Sequence, residues 1–88
     1  MVVKEVKVLN KLGFHARVAS RITRSVNEFQ SSVAVRKDGR RYDLKSVTGV
    51  MLANAKQGDI LTIESEGPDE ETAAEMLTAL FADKFGES

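Results

Sequence analysis

The stretch KLGFHARVASRI, residues 11 to 22, contains the chain's single histidine, His15, between a glycine-containing turn and the start of an apolar periodicity. A neutral imidazole nitrogen is a competent nucleophile near pH 7, so one histidine is enough to carry a covalent phosphoryl group. Two residues on, Arg17 offers a planar fork of donors that stays charged at every relevant pH. It can steady phosphate oxygens without giving up a proton. His15 directly precedes a helical pattern, and the amino end of a helix, with its unpaired amides and positive macrodipole, favours an anion. On residue types alone, His15 can equally be a cap or a packed side chain, and the choice between the readings stays open.

Other chemistries lack their residues. One histidine and no cysteine exclude the usual zinc sites, thiol nucleophiles and disulfides, and no G-x-S-x-G element supports hydrolysis. There is no G-x-G-x-x-G or Walker-type loop for a nucleotide. The strands lack the clustered aromatics of an RNA-stacking platform, so nucleic acid is not expected as a partner. No metal or cofactor is called for.

The elements that must position His15 follow from periodicity. Val6 and Val8 alternate with Glu5 and Lys7 as a strand with one wet face, and Asn10 to Gly13 supplies turn chemistry. Val18, Ala19, Ile22, Val26 and Phe29 then recur at helical spacing, with Arg17, Arg21 and Arg24 as a basic stripe on the opposite side. Gln30 to Ser32 should end this helix. Val33 and Val35, the Asp38-Gly39 turn, and Arg41 to Leu44 read as a hairpin. Ser46 is an N-cap ahead of a short helix with Val47, Val50 and Met51, which Gln57-Gly58 is expected to close. Ile60 to Glu66 is a last strand. In the turn Gly67-Pro68-Asp69, the aspartate is expected to accept the orphan amides of a final helix carrying Ala73, Ala74, Leu77, Leu80, Phe81 and Phe85 on one side.

The order β-α-β-β-α-β-α predicts an α+β fold: a two-layer, open-faced sandwich with a four-stranded antiparallel sheet and three helices on one face. All 88 residues fit one domain, since so short a chain rarely holds two cores. Thirteen acidic and thirteen basic side chains balance, so partners must be chosen by a local patch rather than by net charge. The amino-terminal alternation does not read as a signal peptide, and no apolar run approaches membrane-spanning length. A cytoplasmic location without membrane insertion is the expectation.

Three blocks now carry a resemblance. NKLGFHARVAS is similar to the active-site stretch of the HPr family, the histidine phosphocarriers of the bacterial phosphoenolpyruvate:sugar phosphotransferase system. LKSVTGVMLANAKQGD resembles that family's regulatory-serine helix, and IESEGPDEETAAEML its last strand, acidic turn and closing helix. The resemblance implies that His15 accepts a phosphoryl group from enzyme I, itself charged by phosphoenolpyruvate, and passes it to enzyme IIA domains, with Arg17 beside it. Such a protein is a carrier rather than a turnover enzyme. Ser46 corresponds to the serine that an ATP-dependent kinase modifies in many bacteria, and phosphate there would block docking without unfolding the chain. Val47 and Met51, with Arg21 and Arg24, correspond to the docking face for partners. A monomer is the simpler expectation for a carrier that visits several partners through one face.

Departures from the family pattern are Val18 in place of a proline, Phe14 in place of a common leucine, and Thr48 in place of a larger apolar residue. They leave room for an alternative: a regulatory HPr-like interaction protein that signals through Ser46 with little phosphotransfer through His15.

Overall fold

A computed structural model describes residues 1–87. Its elements are β1 (Val2–Lys7), α1 (Ala16–Val26), β2 (Ser32–Lys37), β3 (Arg40–Asp43), α2 (Val47–Ala53), β4 (Ile60–Glu66) and α3 (Glu70–Ala82), followed by a single 3₁₀ turn, Lys84–Gly86. The sheet order is β1-β4-β2-β3 with every pairing antiparallel, and the three helices cover one face, as the element order predicts. Register follows the buried side chains: Val6 pairs with Leu61, Val35 with Ile63 and Val33 with Ser65, so the apolar alternates all point to the helix layer. On the open face, Glu64 lies between two arginines, accepting from Arg36 Nε at 2.6 Å and from Arg41 Nε at 3.1 Å. No helix among the described residues is long and apolar enough to cross a membrane.

The core joins Val18, Ala19, Ile22 and Val26 of α1, Val50 and Ala53 of α2, and Ala73, Leu77 and Phe81 of α3 to the inner sheet face. Helix α2 can approach β3 closely because Gly49 has no side chain: a Cβ there would collide with the Asp43 carbonyl oxygen. Each such contact is local sequence made useful by tertiary packing.

Three helix ends and the role of one cap residue differ from the periodicity reading. Helix α1 stops at Val26, and Phe29, although in phase with the stripe, packs partly buried beyond its end. The reason is Asn27, whose Nδ2 donates to the Thr23 carbonyl of the last turn at 2.7 Å and to the Lys45 carbonyl ahead of α2 at 3.1 Å. Helix α2 closes at Asn54, which adopts the left-handed conformation (φ 48°, ψ 42°), rather than at Gln57-Gly58. Gly58 serves the following turn and donates its amide to Val8 O at 2.8 Å. Helix α3 stops at Ala82, because Lys84 and Phe85 both take positive φ, and Phe85 returns to the core off the helix.

The fourth difference concerns Asp69. It stands at the N-cap position of α3 but makes no side-chain capping bond. Its carboxylate instead accepts from the amides of Gln30 and Ser31 at 3.0 and 2.9 Å and from the Ser31 hydroxyl at 2.5 Å, tying α3 to the loop before β2. The Ser31 hydroxyl is the main cause, followed by the Gln30 amide and, more weakly, the Ser31 amide, that lowers the Asp69 carboxyl from 3.8 to about 2, against the opposing effect of burial. A depressed carboxyl contributes stability that is complete above its unfolded value and disappears as pH falls through its folded one. Asp69→Asn is therefore expected to unfold at lower urea than wild type at pH 7, and the difference should shrink between pH 3.8 and about 2. Urea titrations across that range measure it, and a constant difference would refute the assignment.

Candidate functional site

The loop before α1 is built around two buried anchors. Phe14 is inserted in the core, where its ring meets Phe81 and Phe85 at centroid distances of 5.9 and 6.0 Å. Gly13, at φ +62°, lets the backbone lie against the segment after α2, and Phe14 N donates to Ala55 O at 2.8 Å. A Cβ on Gly13 would overlap the Ala55 carbonyl oxygen. With Phe14 pointing inward, His15 is left at the surface as the N-cap of α1, its backbone extended (φ −99°, ψ 176°) and its carbonyl accepting from Ala19 N at 2.8 Å. Its ring makes no capping bond, so it is free for another role. Helix α1 starts at Ala16 even though position 18 is a valine, and Val18 is buried beneath it.

What the ring meets is a carboxylate. Nε2 of His15 lies 2.9 and 2.8 Å from the two oxygens of Glu87. Asn10 Nδ2 donates to the same carboxylate at 3.2 Å and to Gly13 O at 2.8 Å, and Arg17 Nη1 stands 3.8 Å away. The hydrogen bond with His15 is the chief reason the Glu87 carboxyl lies below its ordinary value; burial opposes, and Asn10 and the charges of His15 and Arg17 reinforce. The His15 side chain keeps a quarter of its surface exposed and Arg17 most of its own, 84%. The His15 ring thus faces the chain's own carboxylate at a spot that remains open to solvent.

The basic stripe divides in use. Arg21 Nη1 donates to Phe85 O at 3.1 Å, which fastens the residues after α3 to α1, while Arg24 is exposed in the last turn of α1. Helices α1 and α2 pack antiparallel: the His15 loop touches Ala55, whereas Thr23 Oγ1 and Asn27 Nδ2 donate to Leu44 and Lys45 carbonyls just ahead of α2. Ser46, whose Oγ accepts from Gly49 N at 3.3 Å as the N-cap of α2, is thus at the Arg24 end of α1, not beside His15. Val47 and Met51 are exposed at 44% and 42%. Leu12 and Leu52, which the periodicity did not single out, are more exposed still, and Leu12 borders the same surface depression as Arg17 and Glu87. Among the described residues no cluster of three or more His, Cys, Asp or Glu side chains is placed to hold a metal ion.

Asn10 and Glu87 were not marked as site residues by sequence. Asn10 reads as turn chemistry, and Glu87 lies 72 positions from His15 with no pattern connecting them. Fold and geometry together define a small open-faced α+β domain that offers one surface histidine to an anionic group. The family model described as "PTS HPr component phosphorylation site" matches residues 2–83. The chain is 41% identical over 87 residues to the phosphocarrier protein HPr of Cupriavidus necator, covering 99% of this chain and 98% of that protein. It is 38% identical over 79 residues to the HPr-like protein Crh of Halalkalibacterium halodurans, covering 90% and 94% of the two chains. The solved structure of HPr-C-His from Thermoanaerobacter tengcongensis superposes with a TM-score of 0.95 at 35% identity, over 100% of this chain and 99% of that one. The chain belongs to the HPr family of phosphotransferase-system phosphocarriers.

The loop geometry makes a prediction independent of chemistry. Gly13→Ala places a side chain at positive φ and against a backbone oxygen, and is expected to lower stability by roughly 1–3 kcal/mol in urea unfolding. Wild-type stability in this variant would show that the loop is not pinned against Ala55.

Proposed function

We propose that this chain carries a phosphoryl group on the ring of His15, received from phosphorylated enzyme I and delivered to enzyme IIA domains. The observation that carries the reading is the His15 ring: at the amino end of α1, unused as a cap, partly exposed, and already hydrogen-bonded to an anionic oxygen pair. Acceptance forms a nitrogen–phosphorus bond as the bond from phosphorus to the donor breaks, its electron pair leaving with the donor. Delivery reverses these roles. Arg17, exposed two residues on, supplies charge to the transferring oxygens, and the first amides of α1 have no helical carbonyl partner. No cofactor takes part, and because every group named comes from one chain, a monomer in the cytoplasm suffices.

Docking is assigned to Val47 and Met51 with Arg21 and Arg24, and the exposed Leu12 and Leu52 extend that face. A small apolar patch rimmed by arginines suits brief encounters with acidic partners, where steering sets the on-rate and a modest contact lets go. Ser46 is the regulatory position for a serine kinase and phosphorylase. Its phosphate would bring about −2 charge to the Arg24 end of the face, where an acidic partner is repelled.

Incubation with phosphoenolpyruvate and catalytic enzyme I should add one acid-labile phosphoryl group, read by intact-mass spectrometry. His15→Ala should take none while keeping its circular-dichroism spectrum; an adduct that persists in this variant would contradict the reading. Phosphorylating Ser46 with ATP and its kinase is expected to slow acceptance by at least about tenfold, corresponding to a like-charge penalty of about 1.4 kcal/mol, without lowering the unfolding midpoint. Equal rates before and after modification would remove Ser46 from regulation of this step.

A further inference from the structure

On the outer side of α1, a groove of about 530 Å³ runs between the helix and the turn that follows α3. Ser20, Arg21, Arg24 and Ser25 line one wall and Phe85 and Gly86 the other, while Arg17 and Glu87 stand at the end nearest His15. Its size is that of a small-molecule site. Arg21 is held in place within it: Nη1 donates to Phe85 O at 3.1 Å, and a Cβ on Gly86 would lie 2.8 Å from the same nitrogen, so a bare backbone there lets the guanidinium lie across the turn. Gly86 also takes φ +76°, where glycine is favoured. The bond to Phe85 spends one of five N–H donors, and the others are left for a ligand.

The charge in this groove is uncompensated. Among the described residues neither Arg21 nor Arg24 meets a carboxylate at ion-pair distance, whereas Arg36 and Arg41 on the sheet share Glu64 at 2.6 and 3.1 Å. Glu87, the one carboxylate among the described residues that line the groove, is turned to His15 and Arg17. Between Arg17 and Arg24 the helix rises about 10 Å, a span that suits a row of two or three phosphoryl groups, each with an oxygen pair for a planar fork of donors. We propose that this groove binds a small polyanion bearing two or more phosphoryl groups, centred on Arg21 and Arg24 and more than one turn along α1 from His15. Ser20 and Ser25 add hydroxyl donors. A single phosphate fills one fork only and is held poorly; an inorganic polyphosphate and an organic bisphosphate offer the same chemistry to two. Nucleic acid would need basic surface beyond the groove, which a chain of balanced charge does not supply. Arg21 and Arg24 also belong to the docking face proposed above, so a filled groove and a docked acidic partner exclude each other. That consequence rests on the docking assignment; the site itself does not.

The test uses the full chain with no partner protein and no phosphoryl donor, so a failure of the phosphocarrier reading does not touch it. Inorganic tripolyphosphate, a hexose bisphosphate and orthophosphate are titrated in turn at physiological ionic strength, with calorimetry for affinity and amide chemical shifts for location. Tripolyphosphate or the bisphosphate should bind at one saturable site, with shifts gathered at Ser20 to Ser25 and Gly86, and orthophosphate should bind at least about tenfold more weakly. The tighter of the first two identifies the source of the phosphoryl groups. Arg24→Gln, an exposed change in the last turn of α1, should weaken binding about tenfold or more with an unchanged unfolding midpoint. Arg40→Gln, at an exposed arginine of the hairpin outside the groove, should bind as wild type. No saturable binding, orthophosphate as tight as tripolyphosphate, equal losses in Arg24→Gln and Arg40→Gln, or shifts centred on His15 would each overturn the site. A polyglutamate peptide or a short RNA that fills the same groove more tightly than either small polyanion would overturn the ligand class.

Discussion

The site depends on one packing event: the meeting of Phe14, Phe81 and Phe85 beneath the amino end of α1. The three rings come from the loop before α1, the last turn of α3 and the segment beyond it, and none is exposed. Because Phe14 must point inward, its neighbour His15 points outward, where the helix amides and Arg17 are. Because Phe85 must point inward, Glu87 reaches the same spot from the far end of the sequence. Aromatic clusters bury large area and have preferred edge-to-face geometry, so the placement is stiff. A surface histidine thereby acquires a fixed surrounding without being buried.

Charge is organised in the same local way. Acidic and basic residues balance over the chain, yet Arg17, Arg21 and Arg24 fall on the outer side of a single helix whose inner side is Val18, Ala19, Ile22 and Val26. The field that an approaching partner meets is that of this face and not of the whole molecule. Arg21 serves a structural end as well, since its guanidinium holds the Phe85 carbonyl. Ser46 and His15 mark opposite ends of the antiparallel α1–α2 pair, so the regulation proposed for Ser46 would act through a shared docking face rather than by direct contact with His15.

Much of this was readable in the residues. Period-two and period-3.6 patterns located all four strands and three helices, the Asp38-Gly39 turn placed the hairpin, and Ser46 is the N-cap of α2. His15 and Arg17 stood out as candidates by type and position, and the fold places them together at the amino end of α1. What could not be read were the places where one side chain serves a distant backbone. Asp69 has the composition of an N-cap but answers to Gln30 and Ser31, and Asn27 ends α1 by taking up carbonyls from its own last turn and from Lys45. Phe85 is in phase with α3 and would extend it on periodicity alone; only the left-handed turn at Lys84 and Phe85 shows that the ring arrives by another path. Asn10 and Glu87 have no local pattern, because their partnership exists only after the fold has closed.

The central claim is that His15 carries phosphorus, and phosphorus–nitrogen coupling in ¹⁵N-histidine-labelled protein charged by enzyme I tests it most directly. A single phosphorus resonance coupled to a ring nitrogen of His15 is the result this account predicts. Phosphorus coupled to no histidine nitrogen, or found only on a serine oxygen, would contradict it.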